Sequence, residues 1–153
     1  MDAIDLKILT LLQEDGTIPI AALAQRVNLS QTPCWKRVQK LEASGTIQKR
    51  VAILDPEKVG LGLTAFVSIE TSDHSGQWLQ SFAEFVSSMP EVMEFYRMAG
   101  DVDYMLRVVV PDMSAYDRFY NRLIETIPLK KVTSRFALQR VKATTAYNLS
   151  LQA

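Results

Sequence analysis

The spacing of apolar positions changes character partway along the chain, helical at first and strand-like later. Ile4, Ile8, Leu11 and Leu12 recur at helical period, so the sequence predicts a first helix, capped by Asp2 or Asp5. Glu14-Asp15-Gly16-Thr17 ends it, with Gly16 suited to a left-handed position. Pro19 fits the first turn of a second helix whose apolar face is Leu23, Ala24 and Val27, closed by Asn28. Ser30 is placed to cap a third helix carrying Pro33 in its first turn and ending at Ser44-Gly45. Its apolar stripe is Cys34, Val38 and Leu41, and its opposite side holds Thr32, Trp35, Lys36, Gln39 and Lys40.

Ile47 to Leu54 reads as extended, with β-branched residues around Lys49-Arg50, and Asp55-Pro56 breaks it. Gly60 and Gly62 mark a hinge. Beyond them Leu63 to Thr71 is strand-like, and Gln77 to Met89 is helical with Leu79, Phe82, Ala83 and Val86 on one face. Val92 to Ala99 and Tyr104 to Val110 read as strands around a turn at Gly100 to Asp103. Asp112 to Ile127 reads as a helix and Val132 to Leu138 as a strand, with a last strand at Val141 to Tyr147. The order βαββαβ is the ferredoxin-like split βαβ unit. The expected architecture is α+β. Residues 1–46 form a winged helix-turn-helix domain, 47–62 an extended strand and hinge, and 63–153 a ferredoxin-like domain.

Composition narrows what such a chain can do. With 48% hydrophobic and 22% charged residues it is a globular protein, not a disordered one. One cysteine and one histidine supply neither an internal disulfide nor a four-ligand zinc site, so no metal is expected. No apolar run approaches a membrane span and the N-terminus has no signal-peptide pattern, which makes a cytoplasmic protein the expectation. Cys34 lies on an apolar stripe and His74 in a polar loop of the other domain. They form no nucleophile–base pair, and the chain is not expected to be an enzyme.

The net charge is zero, but its distribution is uneven. Lys36, Arg37, Lys40, Lys49 and Arg50 stand against Glu42 alone between Ser30 and Arg50, so the rest of the chain is acidic. Two helices joined by only Asn28 and Leu29, the second with a cationic outer face, are the helix-turn-helix arrangement that enters the DNA major groove. Phosphate contacts need cations or N–H donors, and base contacts need polar groups on an exposed helix face. Ser30, Gln31, Thr32, Trp35, Lys36 and Lys40 are the candidates on the third helix, and Lys49 and Arg50 those on a wing. Arg37 either reaches phosphate or braces the helix. A nucleoid-type architectural protein with little sequence preference would use the same basic helix.

Across about Asp5 to Thr145 the chain resembles the Lrp/AsnC (leucine-responsive, feast/famine) transcriptional regulators. The resemblance is carried by Ile4-Asp5-Leu6-Lys7-Ile8-Leu9, by Leu23-Ala24 with Val27 to Ser30, and by Cys34 and Arg37-Val38 through Leu41-Glu42. Gly45-Thr46-Ile47, Leu54-Asp55-Pro56, Gly60-Leu61-Gly62, Gly100 with Asp103-Tyr104, and Lys142 to Thr145 complete it. Thr32 to Arg37 and Leu54 to Val67 are similar to the family's DecR-type branch, regulators of cysteine detoxification.

The resemblance implies a homodimer paired through sheet faces and assembled further, to an octamer, on double-stranded operator DNA. It also implies an amino-acid effector and no other cofactor, with L-cysteine first and leucine or methionine behind it. Read from the residues alone, Gly100 to Tyr104 is a plain hairpin turn. In the family this loop encloses an amino acid together with a strand from a neighbouring subunit. The implied effector residues are Met98, Ala99, Gly100, Asp101, Val102, Asp103 and Tyr104 with Thr133, Ser134 and Arg135. Asp101 or Asp103 would pair with the ammonium, the two hydroxyls would bond the ligand, and Arg135 would meet either an aspartate or the ligand.

Overall fold

The structure, a computed structural model, describes residues 1–152. It divides into two compact units. One is Met1–Ile53 together with the tail from Val141, and the other is Leu54–Arg140.

The first unit is built on three helices, α1 (Ala3–Glu14), α2 (Ile20–Arg26) and α3 (Gln31–Ala43). Asp2 caps α1: its carboxylate accepts the Asp5 N–H, and the Asp5 carboxylate accepts the Asp2 N–H in return. The expected left-handed Gly16 is not found. Asp15 ends α1 in extended conformation, and its carboxylate accepts both the N–H and the hydroxyl of Thr17. Those bonds, hydroxyl first, hold the Asp15 carboxyl below its ordinary pKa. Asn28 takes φ +56°, the left-handed residue that turns the chain from α2 into α3. Ser30 stands at the N-cap of α3, but its side chain makes no capping bond. Ile8, Leu23, Ala24, Cys34, Val38 and Leu41 form the buried centre, as the helical periodicity predicts.

Neither 47–54 nor 141–147 is a strand, because neither finds a partner among the described residues. The tail was expected in the second domain and clusters with the first. The Gln13 side chain accepts the Tyr147 N–H at 2.7 Å and donates to the Tyr147 carbonyl at 3.2 Å, while Leu149 packs against the three-helix core. A side-chain amide that makes both bonds to one residue mimics a strand neighbour and fixes the tail on α1.

The second unit is one four-stranded antiparallel sheet with two helices. Its elements are β1 (Leu63–Glu70), α4 (Gly76–Ser88), β2 (Val92–Arg97), β3 (Tyr104–Val110), α5 (Met113–Thr126) and β4 (Lys131–Phe136). The strand order is β2-β3-β1-β4, the ferredoxin-like arrangement expected from βαββαβ. Alternation sends Val67, Ile69, Leu106 and Val108 toward the helices, where they meet fully buried Phe82, Val86, Phe119 and Leu123. Phe82 lies among Trp78, Phe95 and Tyr104 at centroid distances of 4.8, 5.5 and 5.2 Å. Truncating either buried phenylalanine to Ala would cost about 3–5 kcal/mol. The other sheet face carries no helix of this unit, and Phe66 and Tyr96 stand on it 41% and 52% exposed.

Candidate DNA interface and effector loop

Each face of α3 has a separate task. Cys34, Val38 and Leu41 are buried, whereas Gln31, Thr32, Lys36, Gln39 and Lys40 are exposed. Lys36, Lys40 and Lys49 form no ion pair among the described residues, so their charges are available. Burial raises the Cys34 pKa, so the thiol is a core group rather than a reactive one.

Two cations of the basic segment are committed within the unit. Arg37 donates through Nη1 to Asp2 Oδ2 and Asp5 Oδ1, both at 2.7 Å. Those hydrogen bonds raise its pKa, and they brace α3 on the N-terminus of α1. Of the two roles open to Arg37 in the sequence, the geometry favours the brace over phosphate contact. Arg50, expected on a wing, donates instead to Glu42 Oε1 at 2.9 Å and to the Gly16 carbonyl at 3.2 Å. With 47–54 unpaired, no wing ribbon exists among the described residues. Trp35, 52% exposed, lines a groove of about 420 Å³ together with Gln39, Glu42 and Arg50.

The expected effector residues fall into three sets. Met98, Ala99, Gly100 and Asp101 are exposed, and Val102 is half-buried. Gly100 takes φ +140°, a conformation L side chains rarely adopt, which accounts for glycine there. No hydrogen bond engages the Asp101 carboxylate among the described residues, which leaves it open to a cation.

Asp103 and Tyr104 are engaged in the fold. The Asp103 N–H donates to the Ile69 carbonyl at 3.0 Å, its own carbonyl accepts the Met98 N–H at 2.8 Å, and its Oδ2 accepts the Thr71 N–H at 2.8 Å. His74 Nδ1 lies 3.8 Å from the other oxygen. Tyr104 is 3% exposed among the aromatic rings, so its side chain belongs to the core. Of the two aspartates offered for the ammonium, only Asp101 has a free carboxylate.

Within one chain Thr133 and Ser134 stand on opposite faces of β4. Adjacent strand residues point to opposite faces. Ser134 shares a short hydrogen bond with the Tyr116 hydroxyl of α5, on the helix side. Burial raises the Tyr116 pKa, so that hydroxyl stays neutral. Thr133 lies opposite Ser68 on the other face. Arg135 pairs with neither aspartate and donates to the Ser68 hydroxyl at 2.8 Å. The strand and the loop nonetheless lie at one end of the sheet, because Ile69 pairs with Tyr104 on one side and Val132 on the other.

Sequence reasoning gave no role to Thr71 or Ser68 and noted Glu42 as the lone acid of the basic segment without a partner for it. A short polar residue at a strand end or a lone glutamate on a basic helix gives no periodic signal. No group of three or more His, Cys, Asp and Glu side chains among the described residues could hold a metal.

Comparison with known proteins gives concordant results. The AsnC-type helix-turn-helix domain matches residues 1–42, and the Lrp/AsnC ligand binding domain matches 64–147. The chain is 54% identical over 147 residues to the DNA-binding transcriptional activator DecR of Escherichia coli K12, covering 95% of this chain and 97% of that one. It is 46% identical over 145 residues to the glutamate uptake regulatory protein of Zymomonas mobilis, covering 95% and 88%. An AsnC family transcriptional regulator from Agrobacterium tumefaciens superposes over all of both chains with a TM-score of 0.95 and 56% identity. A transcriptional regulator in complex with L-Met from Neisseria meningitidis does so with 0.92 and 33%, over 100% and 99%.

Proposed function

The chain belongs to the Lrp/AsnC family of transcriptional regulators, and from that premise we propose how it works: α3 reads operator DNA while the Met98–Asp103 loop senses an amino acid. The observation that carries the reading is the division of charge on α3. Lys36 and Lys40 are exposed and unpaired on the outer face, whereas Arg37 is turned inward against Asp2 and Asp5. A helix held by one cation and presenting two others is suited to phosphate contacts on either side of a groove.

The effector is a small amino acid. Its ammonium meets Asp101, and its carboxylate meets backbone N–H groups of the Gly100 turn. L-cysteine is the first choice, on the likeness to DecR, with methionine or leucine next. The helix-free face of the sheet, with Phe66 and Tyr96 exposed, pairs with a second copy, and dimers assemble further, to an octamer. Thr133 and Arg135 then reach the loop of a neighbouring copy. The protein acts in the cytoplasm; among the described residues no helix is long and apolar enough to cross a membrane. Effector binding favours one assembly state and so changes operator occupancy.

Thermal melts against each of the twenty amino acids test this, with cysteine kept reduced. A ligand of the folded form raises the midpoint in proportion to RT ln(1 + [L]/Kd). A shift with cysteine supports the first choice, a shift with another amino acid replaces it, and no shift removes the sensing function. A ratio of specific to non-specific DNA affinity near one would instead favour an architectural role.

A further inference from the structure

Glu42 is an acid on the flank of a helix proposed to lie against polyphosphate. Such a carboxylate is repelled by DNA unless it is neutralised. Arg50 neutralises it, with its Nη2 2.9 Å from Glu42 Oε1, and the guanidinium is itself held by the Gly16 carbonyl. The second carboxylate oxygen is also occupied: Gln39 Nε2 donates to Glu42 Oε2 at 3.0 Å. The four groups form one chain from the end of α1 to the exposed amide of Gln39.

We propose that Gln39 is a base-reading, specificity-determining residue of this DNA interface, and that Glu42 and Arg50 are its positioning residues. The inference rests on the DNA-binding function proposed above. A carboxylate only accepts hydrogen bonds, so the amide must turn its nitrogen toward Glu42. That fixes the amide's two ends. One N–H is spent on Glu42, and the second N–H and the carbonyl oxygen remain available on an exposed side chain. A donor and an acceptor side by side in fixed order match adenine, whose N7 accepts and whose N6 amino group donates. Lys36 and Lys40, which carry charge but no acceptor, cannot make that distinction.

The test is selection from duplexes with a randomised core, using the full chain as wild type, Gln39→Ala and Glu42→Gln. Wild type should select adenine at one position of each half-site. Gln39→Ala should lose that preference by roughly 10- to 100-fold, the worth of one bidentate base contact. Glu42→Gln can accept or donate toward the Gln39 amide, so it should broaden the preference at the same position. A purely structural role for Gln39 would leave the selected bases unchanged, and that result would overturn the proposal. Selection of no sequence by wild type would overturn the regulatory function along with it, so the two failures are told apart. Gln39 is exposed, and equal melting midpoints of wild type and Gln39→Ala check that the fold is intact.

Discussion

Arg37 on the third helix lies 2.7 Å from Asp5 on the first, thirty-two residues earlier. The contact sets how α3 stands on α1. It also engages within the unit a cation that the sequence offered to DNA.

Salt dependence of DNA binding separates the cations. Lys36→Ala and Lys40→Ala should each lower the slope of log K against log salt by about one unit, the loss of one phosphate contact. Arg37→Ala should leave the slope unchanged and lower the melting temperature instead. An equal slope change in all three variants would put Arg37 on the phosphates.

Acid should weaken the same clamp. The Asp5 N–H, and after it Arg37, holds the Asp2 carboxyl below its ordinary pKa. A carboxylate whose folded pKa is depressed contributes stability above its unfolded pKa, and that contribution fades as pH falls through the folded value. Wild type should therefore melt above Asp2→Asn at neutral pH, and the gap should close below about pH 4. A gap that persists to low pH would mean that the carboxylate charge contributes nothing.

In the effector loop the two aspartates should part company. Asp103→Ala leaves the buried Thr71 N–H without its acceptor, so it should cost about 1–3 kcal/mol of stability. Asp101→Ala should change stability by less than about 0.5 kcal/mol and abolish the amino-acid-induced rise in melting temperature. Retention of that rise in Asp101→Ala would exclude the carboxylate as the ammonium partner.

Ser134→Ala should lower stability by about 1–3 kcal/mol, because the Tyr116 hydroxyl loses its partner on the helix side of the sheet. Ligand-induced shifts should survive, since that hydroxyl stands on the helix side of the sheet. Calorimetry with and without amino acid reads both quantities.

Much of this fold was legible because helices announce themselves locally. Three- and four-residue spacing at Cys34, Val38 and Leu41 places α3, and alternation at Val67 and Ile69 places β1. Period-two alternation also puts Thr133 and Ser134 on opposite faces of β4. What the sequence hides is pairing over distance. Arg37 finds Asp2 and Asp5, and Arg50 finds Gly16, only once helices pack. The segments 47–54 and 141–147 have the composition of strands, but a strand needs a neighbour, and neither finds one among the described residues. The tail's attachment at Gln13 depends on a side chain more than a hundred residues upstream.

That attachment makes the helix-turn-helix unit discontinuous in sequence. A fragment excised after Ile53 would carry all three helices and still be incomplete, with a bare patch where Leu149 sits and a Gln13 amide returned to water. A protease cut at the start of the second unit, at 54–62, would release no independent N-terminal piece while the tail stayed bound: the two fragments should travel together until denatured.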